Sequence, residues 1–185
     1  MIDDLVQDAT RRMDKSVEAA AHEFNTVRTG RASAALLDRI KIDYYGTETP
    51  LKQLATINVP EPRMLTIQPY DPGSIKAIER AIQESDLGLT PSNDGKLIRL
   101  PIPQLTEERR KELVKVVRHL AEEGRVAVRN VRRDVMHDLK ELVRDGEVGD
   151  DEERRAEERV QKLTDEHVGK IEELLKKKEA EIMEV

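Results

Sequence analysis

The chain has 185 residues, 32 Lys and Arg against 38 Asp and Glu, a formal net charge of -6, and neither Cys nor Trp. That length allows one domain or two small ones, and the lack of cysteine removes disulfide frameworks, thiolate zinc sites and cysteine nucleophiles. One Phe and three Tyr are too few for a sheet that stacks RNA bases on exposed rings.

The first residues show no basic leader followed by an apolar run, and no stretch of about 18 apolar residues occurs, so a soluble, cytoplasmic, membrane-free protein is expected. Ile2, Val6, Ala9, Met13, Val17, Ala20, Phe24 and Val27 recur at helical spacing and predict a first helix, with Thr29-Gly30 as its stop. All eight prolines then fall between positions 50 and 103, which forbids long helices there and permits them in the flanks. Within the middle, Arg39–Tyr45, Ala55–Val59, Met64–Gln68 and Lys96–Leu100 read as strands. Asp71-Pro-Gly-Ser74 reads as a turn into a helix at about 75–85, with Ile75, Ile78 and Ile82 on one face.

A second long helix is predicted from Thr106 to about Arg144, along the stripe Leu113, Val117, Leu120, Gly124, Ala127, Val131, Val135, Leu139 and Leu142. At 1.5 Å per residue its length is about 58 Å, against a radius of gyration of about 16 Å for a compact globule of this size, so an elongated molecule is expected. After the breaks at Asp145-Gly146 and Gly149-Asp150, a third stripe runs through Val160, Leu163, His167, Ile171, Leu174, Lys178, Ile182 and Val185, weakened by His167 and Lys178. The expected fold class is α+β: an elongated three-helix, coiled-coil-like bundle of residues 1–30 and 105–185, with a small α/β domain of residues 31–104 inserted into it. Two short crossings, Gly30-Arg31 and Pro103-Gln104-Leu105, form a two-stranded hinge; if its motion matters, proline at Gly30 is expected to leave binding nearly intact but impair the function that depends on that motion.

No nucleophile elbow, phosphate-binding glycine loop or dinucleotide fingerprint is present. The four histidines have no i, i+4 partner, so no metal pair is expected, and the carboxylates are accounted for by solvated helix faces. The expectation is a non-enzyme without cofactor or metal. Charge is the stronger signal: Arg109–Arg133 holds nine basic residues and three acidic ones, a local balance of +6. At 100° per residue, Arg118, Arg125, Arg129 and Arg132 lie within roughly 60° of one another and about 130° from the Leu113/Leu120/Val131 seam, which predicts a water-facing stripe. Arginine's planar fork suits phosphate, which favours RNA or another polyanion over pairing with acids of neighbouring helices. A structural coiled-coil adaptor, or a chaperone-like protein with an acidic partner, is the alternative.

Six segments carry a family resemblance in order along the chain: Val27-Arg-Thr-Gly-Arg-Ala-Ser33, Asp43-Tyr-Tyr-Gly46, Thr49-Pro-Leu-Lys-Gln-Leu54, Ser85-Asp-Leu-Gly-Leu89, Leu105-Thr-Glu-Glu-Arg-Arg-Lys111 and Val126-Ala-Val-Arg-Asn-Val-Arg-Arg133. The sequence resembles bacterial ribosome recycling factors from end to end. The resemblance implies a monomeric protein with an outline like transfer RNA. It implies binding between the subunits of the post-termination ribosome, on large-subunit rRNA, and splitting of the subunits with elongation factor G and GTP, releasing mRNA and tRNA. Carried onto matching positions, it implies RNA contacts at Arg110, Arg129, Arg132 and Arg133, and a hinge at Gly30, Arg31, Gln104 and Leu105. Arg125 joins the RNA set from the stripe geometry alone.

Overall fold

A computed structural model describes residues 1–184; Val185, last of the third stripe, lies outside them. The chain forms two compact units, Met1–Thr29 with Glu107–Val185, and Gly30–Thr106. The first is helical and the second is a mixed α/β unit.

In the helical unit, α1 (Ile2–Asn25), α4 (Glu107–Arg144) and α5 (Asp150–Met183) each pack against the other two. On α1 the buried residues are Val6, Ala9, Met13, Ala20 and Phe24, all from the expected stripe. The other two helices differ in phase. Ala121 and Val128 are buried on α4, and Thr164 and Leu175 on α5, whereas Leu120, Ala127, Leu163 and Leu174 are half-buried. A helix wedged between two others buries a broad face rather than a single a/d line, and its centre shifts toward whichever neighbour approaches more closely.

Two buried positions fix that approach. Gly124 leaves so little room that a Cβ there would stand 3.1 Å from Ile171 Cδ1 and 3.2 Å from Ala20 Cβ, so all three helices meet at this level. His167, 2% exposed, does not weaken the seam as its polarity suggests. Its Nε2 lies 2.6 Å from Asp14 Oδ1 on α1 and its Nδ1 lies 2.7 Å from the Leu163 carbonyl, so both ring nitrogens have partners. Between α4 and α5 the chain reverses tightly, with the amides of Asp145, Gly146 and Glu147 donating to the carbonyls of Glu141, Val143 and Leu142. Asp150, Asp151, Glu152 and Glu153 then occupy the first turn of α5, the end that favours negative charge.

In the second unit, β1 (Lys41–Tyr44) and β2 (Thr47–Pro50) form an antiparallel hairpin, followed by a single helical turn, α2 (Leu51–Leu54). A four-stranded antiparallel sheet follows, in the order β3 (Ala55–Glu61), β4 (Met64–Pro69), β6 (Ile98–Pro101), β5 (Ser92–Asn93). The helix α3 (Ile75–Glu84) buries Ile75, Ile78 and Ile82 in the same apolar core as Leu65, Ile67, Ile98 and Leu100. Pro60 enters β3 where the register with β4 shifts between Asn58 and Glu61, and Pro69 and Pro101 end their strands; in none of these places is a proline amide needed mid-ladder. The last strand begins at Ile98 rather than Lys96, because Asp94 Oδ1 accepts the amides of Lys96 and Leu97 and holds residues 94–97 in a turn.

The segments that leave this unit are tied to one hairpin tip. The amide of Ala32 donates to the carbonyl of Pro62 (2.7 Å), and the amide of Ile102 donates to the carbonyl of Arg63 (2.8 Å). Gly30 has φ +79°, and a Cβ on it would stand 3.2 Å from Leu105 Cγ. Proline, confined to φ near about -65°, cannot adopt that conformation. A proline at Gly30 therefore rebuilds the crossing rather than merely stiffening it, and the clean test anticipated from the sequence is lost.

Candidate RNA-binding face

The basic residues sit on α4, a 38-residue helix of about 57 Å at 1.5 Å per residue. Its buried residues, from Leu113 through Ala121 and Val128 to Leu139, span about 80° around the axis at 100° per residue. Measured from the centre of that face, Arg118, Arg125, Arg129 and Arg132 stand only about 90° away. They flank the contact with α5.

The water-facing stripe is accordingly corrected, because its seam was drawn through Leu120 and missed Ala121 and Val128. Arg118 Nε donates to Glu179 of α5 at 2.9 Å. Arg125 is the most enclosed, its side chain 18% exposed and held by Glu122 of its own helix and by Glu172 of α5. Burial alone would lower the Arg125 pKa, but the hydrogen bonds to Glu122 and Glu172 outweigh it and raise the net value. Arg132, half-buried, donates from Nη1 to Gln161 Oε1 of α5 at 2.9 Å, and Gln161 in turn donates to Asp165. Pairing with neighbouring acids, the reading disfavoured from sequence, thus accounts for Arg118 and Arg125.

The remaining arginines are placed differently. Arg129 is 48% exposed, with a long 3.9 Å approach of its Nη1 to Glu122 Oε1. Arg133 is exposed and has no hydrogen-bond or ion-pair partner among the described residues. Arg110 lies on the core side of α4, one turn before Leu113; it is half-buried and its Nε has no hydrogen-bond partner. Arg129, Arg132 and Arg133 therefore line one edge of the helix, while Arg110 stands about 40° from Arg132 in phase but six turns away along the axis. On the opposite flank Arg12 of α1 binds Asp134 at 2.7 Å, and that hydrogen bond raises the Arg12 pKa. With Glu172 and Glu179 on one side and Asp134 on the other, α4 is clamped along both edges.

Sequence reasoning missed Glu122, Gln161, Glu172 and Glu179 as the groups that hold these arginines. Only Glu122 left a local signal, lying three residues before Arg125 and seven before Arg129. The hinge residues Gly30, Arg31, Gln104 and Leu105 are on the second unit or its edge, with Arg31 and Gln104 exposed. Among the described residues, no cluster of three His, Asp or Glu could hold a metal, and no helix is long and apolar enough to cross a membrane.

The profile of the family described as Ribosome recycling factor matches residues 20–183. The chain belongs to the ribosome recycling factor family. It is 63% identical over 180 residues to the ribosome-recycling factor of Rubrobacter xylanophilus, covering 97% of each chain. It is 56% identical over 185 residues to that of Geobacillus thermodenitrificans, covering all of both. Among solved structures it is similar to a solution structure of a ribosome recycling factor, with a TM-score of 0.77, 46% identity, and coverage of 100% of this chain and 98% of that one. It is also similar, with a TM-score of 0.67 and 48% identity over the full length of both chains, to the T. thermophilus ribosome recycling factor in a set of models that place it and the E. coli elongation factor G on the E. coli post-termination complex. Ribosome recycling is the translation function this family carries.

Proposed function

We propose that this protein binds the post-termination ribosome through α4 and, with elongation factor G and GTP, splits it into subunits, releasing mRNA and tRNA. The placement of the T. thermophilus relative with elongation factor G on the post-termination complex supports that partnership. The carrying observation is the edge of α4: Arg129 and Arg133 project from a helix clamped by ion pairs on both sides, with Arg132 held beside them by Gln161. Prepaid ordering of the helix lowers the entropy lost when the arginines meet phosphate. Arg110 contributes a guanidinium at the start of the same helix.

The protein performs no covalent step; the free energy comes from GTP hydrolysis by the partner, and the chain transmits displacement. A helix of about 57 Å, held by two others, is a stiff lever. Gly30, Arg31, Gln104 and Leu105 form the hinge, where the chain crosses twice between its units. Splitting by the hinge follows if elongation factor G moves the second unit while α4 stays on rRNA of the large subunit.

Light scattering of post-termination ribosomes with elongation factor G and GTP tests the whole reading; absence of a splitting signal with the unaltered protein overturns it. Arg133→Ala is expected to weaken large-subunit binding and to flatten its log–log salt dependence by about 0.7–0.9. Arg125→Ala is expected to lower the unfolding temperature more than it weakens binding, because that side chain is spent on the α4–α5 clamp. An adaptor for an acidic protein would show neither cosedimentation with large subunits nor this salt slope.

A further inference from the structure

Among the residues of α4 that project between the α5 contact and the open side of the helix are Lys111, Lys115, Arg118, Arg125, Arg129, Arg132 and Arg133. At 100° per residue they occupy a sector of about 100°, which holds two acids of α4: Glu107 in the first turn, paired with Lys111, and Glu122, the only one between Lys111 and Arg133. Its side chain is 52% exposed, so burial does not explain it. Nor does helix support alone, since an exposed intrahelical ion pair stabilises a helix only weakly.

The geometry divides its two oxygens. Glu122 Oε2 receives both Nε and Nη2 of Arg125, at 2.9 and 2.8 Å. Oε1 faces Arg129 Nη1 at 3.9 Å, too long for a hydrogen bond and close enough for attraction. Arg125 has a second carboxylate in Glu172, whereas Arg129 has no other partner among the described residues. One oxygen is thus structural and the other loosely tethers an arginine of the binding edge.

We propose that Glu122 is an attenuator of the RNA-binding face: a carboxylate that positions Arg129 in the free protein and weakens its hold on phosphate in the complex. The inference rests on the reading that this edge binds rRNA. A phosphate oxygen reaching Arg129 must compete with Glu122 Oε1 and approach a fixed negative charge. The carboxylate remains in place when RNA arrives, because its other oxygen is occupied by the clamped Arg125. Like charges a few ångströms apart at a surface repel, enough to weaken binding a few-fold. For a factor that must leave the subunit after each round, such an opposing charge shortens the residence time without altering the fold.

The test is Glu122→Gln, which keeps the acceptor oxygen and side-chain length and removes the charge. Binding of the purified full-length variant to large ribosomal subunits is measured across a salt series, with dissociation rate and thermal unfolding alongside. Binding about threefold to fivefold tighter at low salt, with slower dissociation and a steeper salt slope, is expected. Glu172→Gln serves as the comparison: it loosens the same Arg125 clamp from α5, so it is expected to lower the unfolding temperature while leaving the Arg129 edge and its affinity nearly unchanged. Equal or weaker binding by Glu122→Gln, with the unfolding temperature preserved, overturns the attenuator. If Glu122→Gln is less stable and binds no better, while Glu122→Gln/Arg129→Ala binds as Arg129→Ala does, the carboxylate is structural only and the proposal fails. Arg129→Ala separates the two levels: if it leaves binding unchanged, the RNA-binding edge itself is wrong; if it weakens binding while Glu122→Gln changes nothing, only the attenuator is wrong.

Discussion

The two units of this chain solve the problem of burying apolar surface in opposite ways. The helical unit spreads its buried residues in a long, thin core between three helices, with small side chains among them: Ala9, Ala20, Ala121, Gly124 and Ala156. The second unit gathers large aliphatic residues into one cluster between the four-stranded sheet and α3, with Leu65, Ile67, Ile78, Ile82, Ile98 and Leu100 fully buried. A thin core leaves the edges of each helix free to carry charge, and those edges hold the arginines and their carboxylate clamps. The charges of the second unit balance, nine cations against nine anions over residues 31–105. On the proposed function, the first unit is the one that grips a polyanion and the second the one that is moved.

The largest effect expected from this contrast comes from the dense core. Ile67 is fully buried and faces Ile57 on β3 and Ile98 on β6. Ile67→Ala should cost about 2–5 kcal/mol, since the cavity opens between strands that cannot close on it. Followed by circular dichroism, the loss should appear as an early transition of small amplitude, with the strong helical signal of the other unit melting later. A single transition, shifted as a whole, would show the units to fold as one and would break the comparison.

Glycines probe the thin core and the crossing. Gly124→Val places branched carbon against Ile171 Cδ1 and Ala20 Cβ, where a Cβ alone already stands within 3.2 Å. Overpacking there should cost about 1–3 kcal/mol and lower the main helical transition. Gly30→Ala meets a different obstacle, a left-handed φ of +79° with Leu105 beside it. Its cost of about 1–2 kcal/mol should fall on the second unit and leave the helical transition where it was. Thermal unfolding of the pair tells whether close packing and backbone conformation are separate demands, one in each unit.

The division of the chain into helical flanks and a mixed middle was legible because proline placement and a 3.6-residue period are local properties. The α1 stripe, from Val6 to Phe24, needed nothing else. The phase of α4 was not legible. Whether Leu120 or Ala121 faces inward depends on two neighbouring helices, and Ala121 carries no hydrophobic signal of its own. That one-residue ambiguity turned a clamped edge into an apparent water-facing stripe, and the acids that clamp it, Glu172 and Glu179, lie 47 and 61 residues beyond their arginines. The short strands were hidden for the same reason. Ser92–Asn93 is a strand only because it pairs with Arg99 and Ile98, and no two-residue segment declares that alone. The hairpin tip that ties down Ala32 and Ile102 uses backbone carbonyls, which have no sequence signature at all.

The smallest expected effect concerns pH and belongs to the second unit alone. Asp94 holds the turn before β6, and the backbone amides of Leu97 and Lys96 lower its pKa, with a further contribution from Arg99. A carboxyl whose folded value lies below its unfolded one adds stability above the unfolded value, and loses it as pH falls through the folded one. Acidification below the ordinary carboxylate range should therefore loosen residues 94–97 and the edge where β5 meets β6. Asp94→Asn keeps a turn-forming side chain but cannot gain or lose charge, so its second-unit transition should show a weaker dependence on pH in that acid range than the unaltered protein. The helical unit supplies the internal reference, since Asp94 contributes nothing to its packing; if its transition responded to Asp94→Asn as strongly as that of the second unit, the two would share a stability that their separate cores do not suggest.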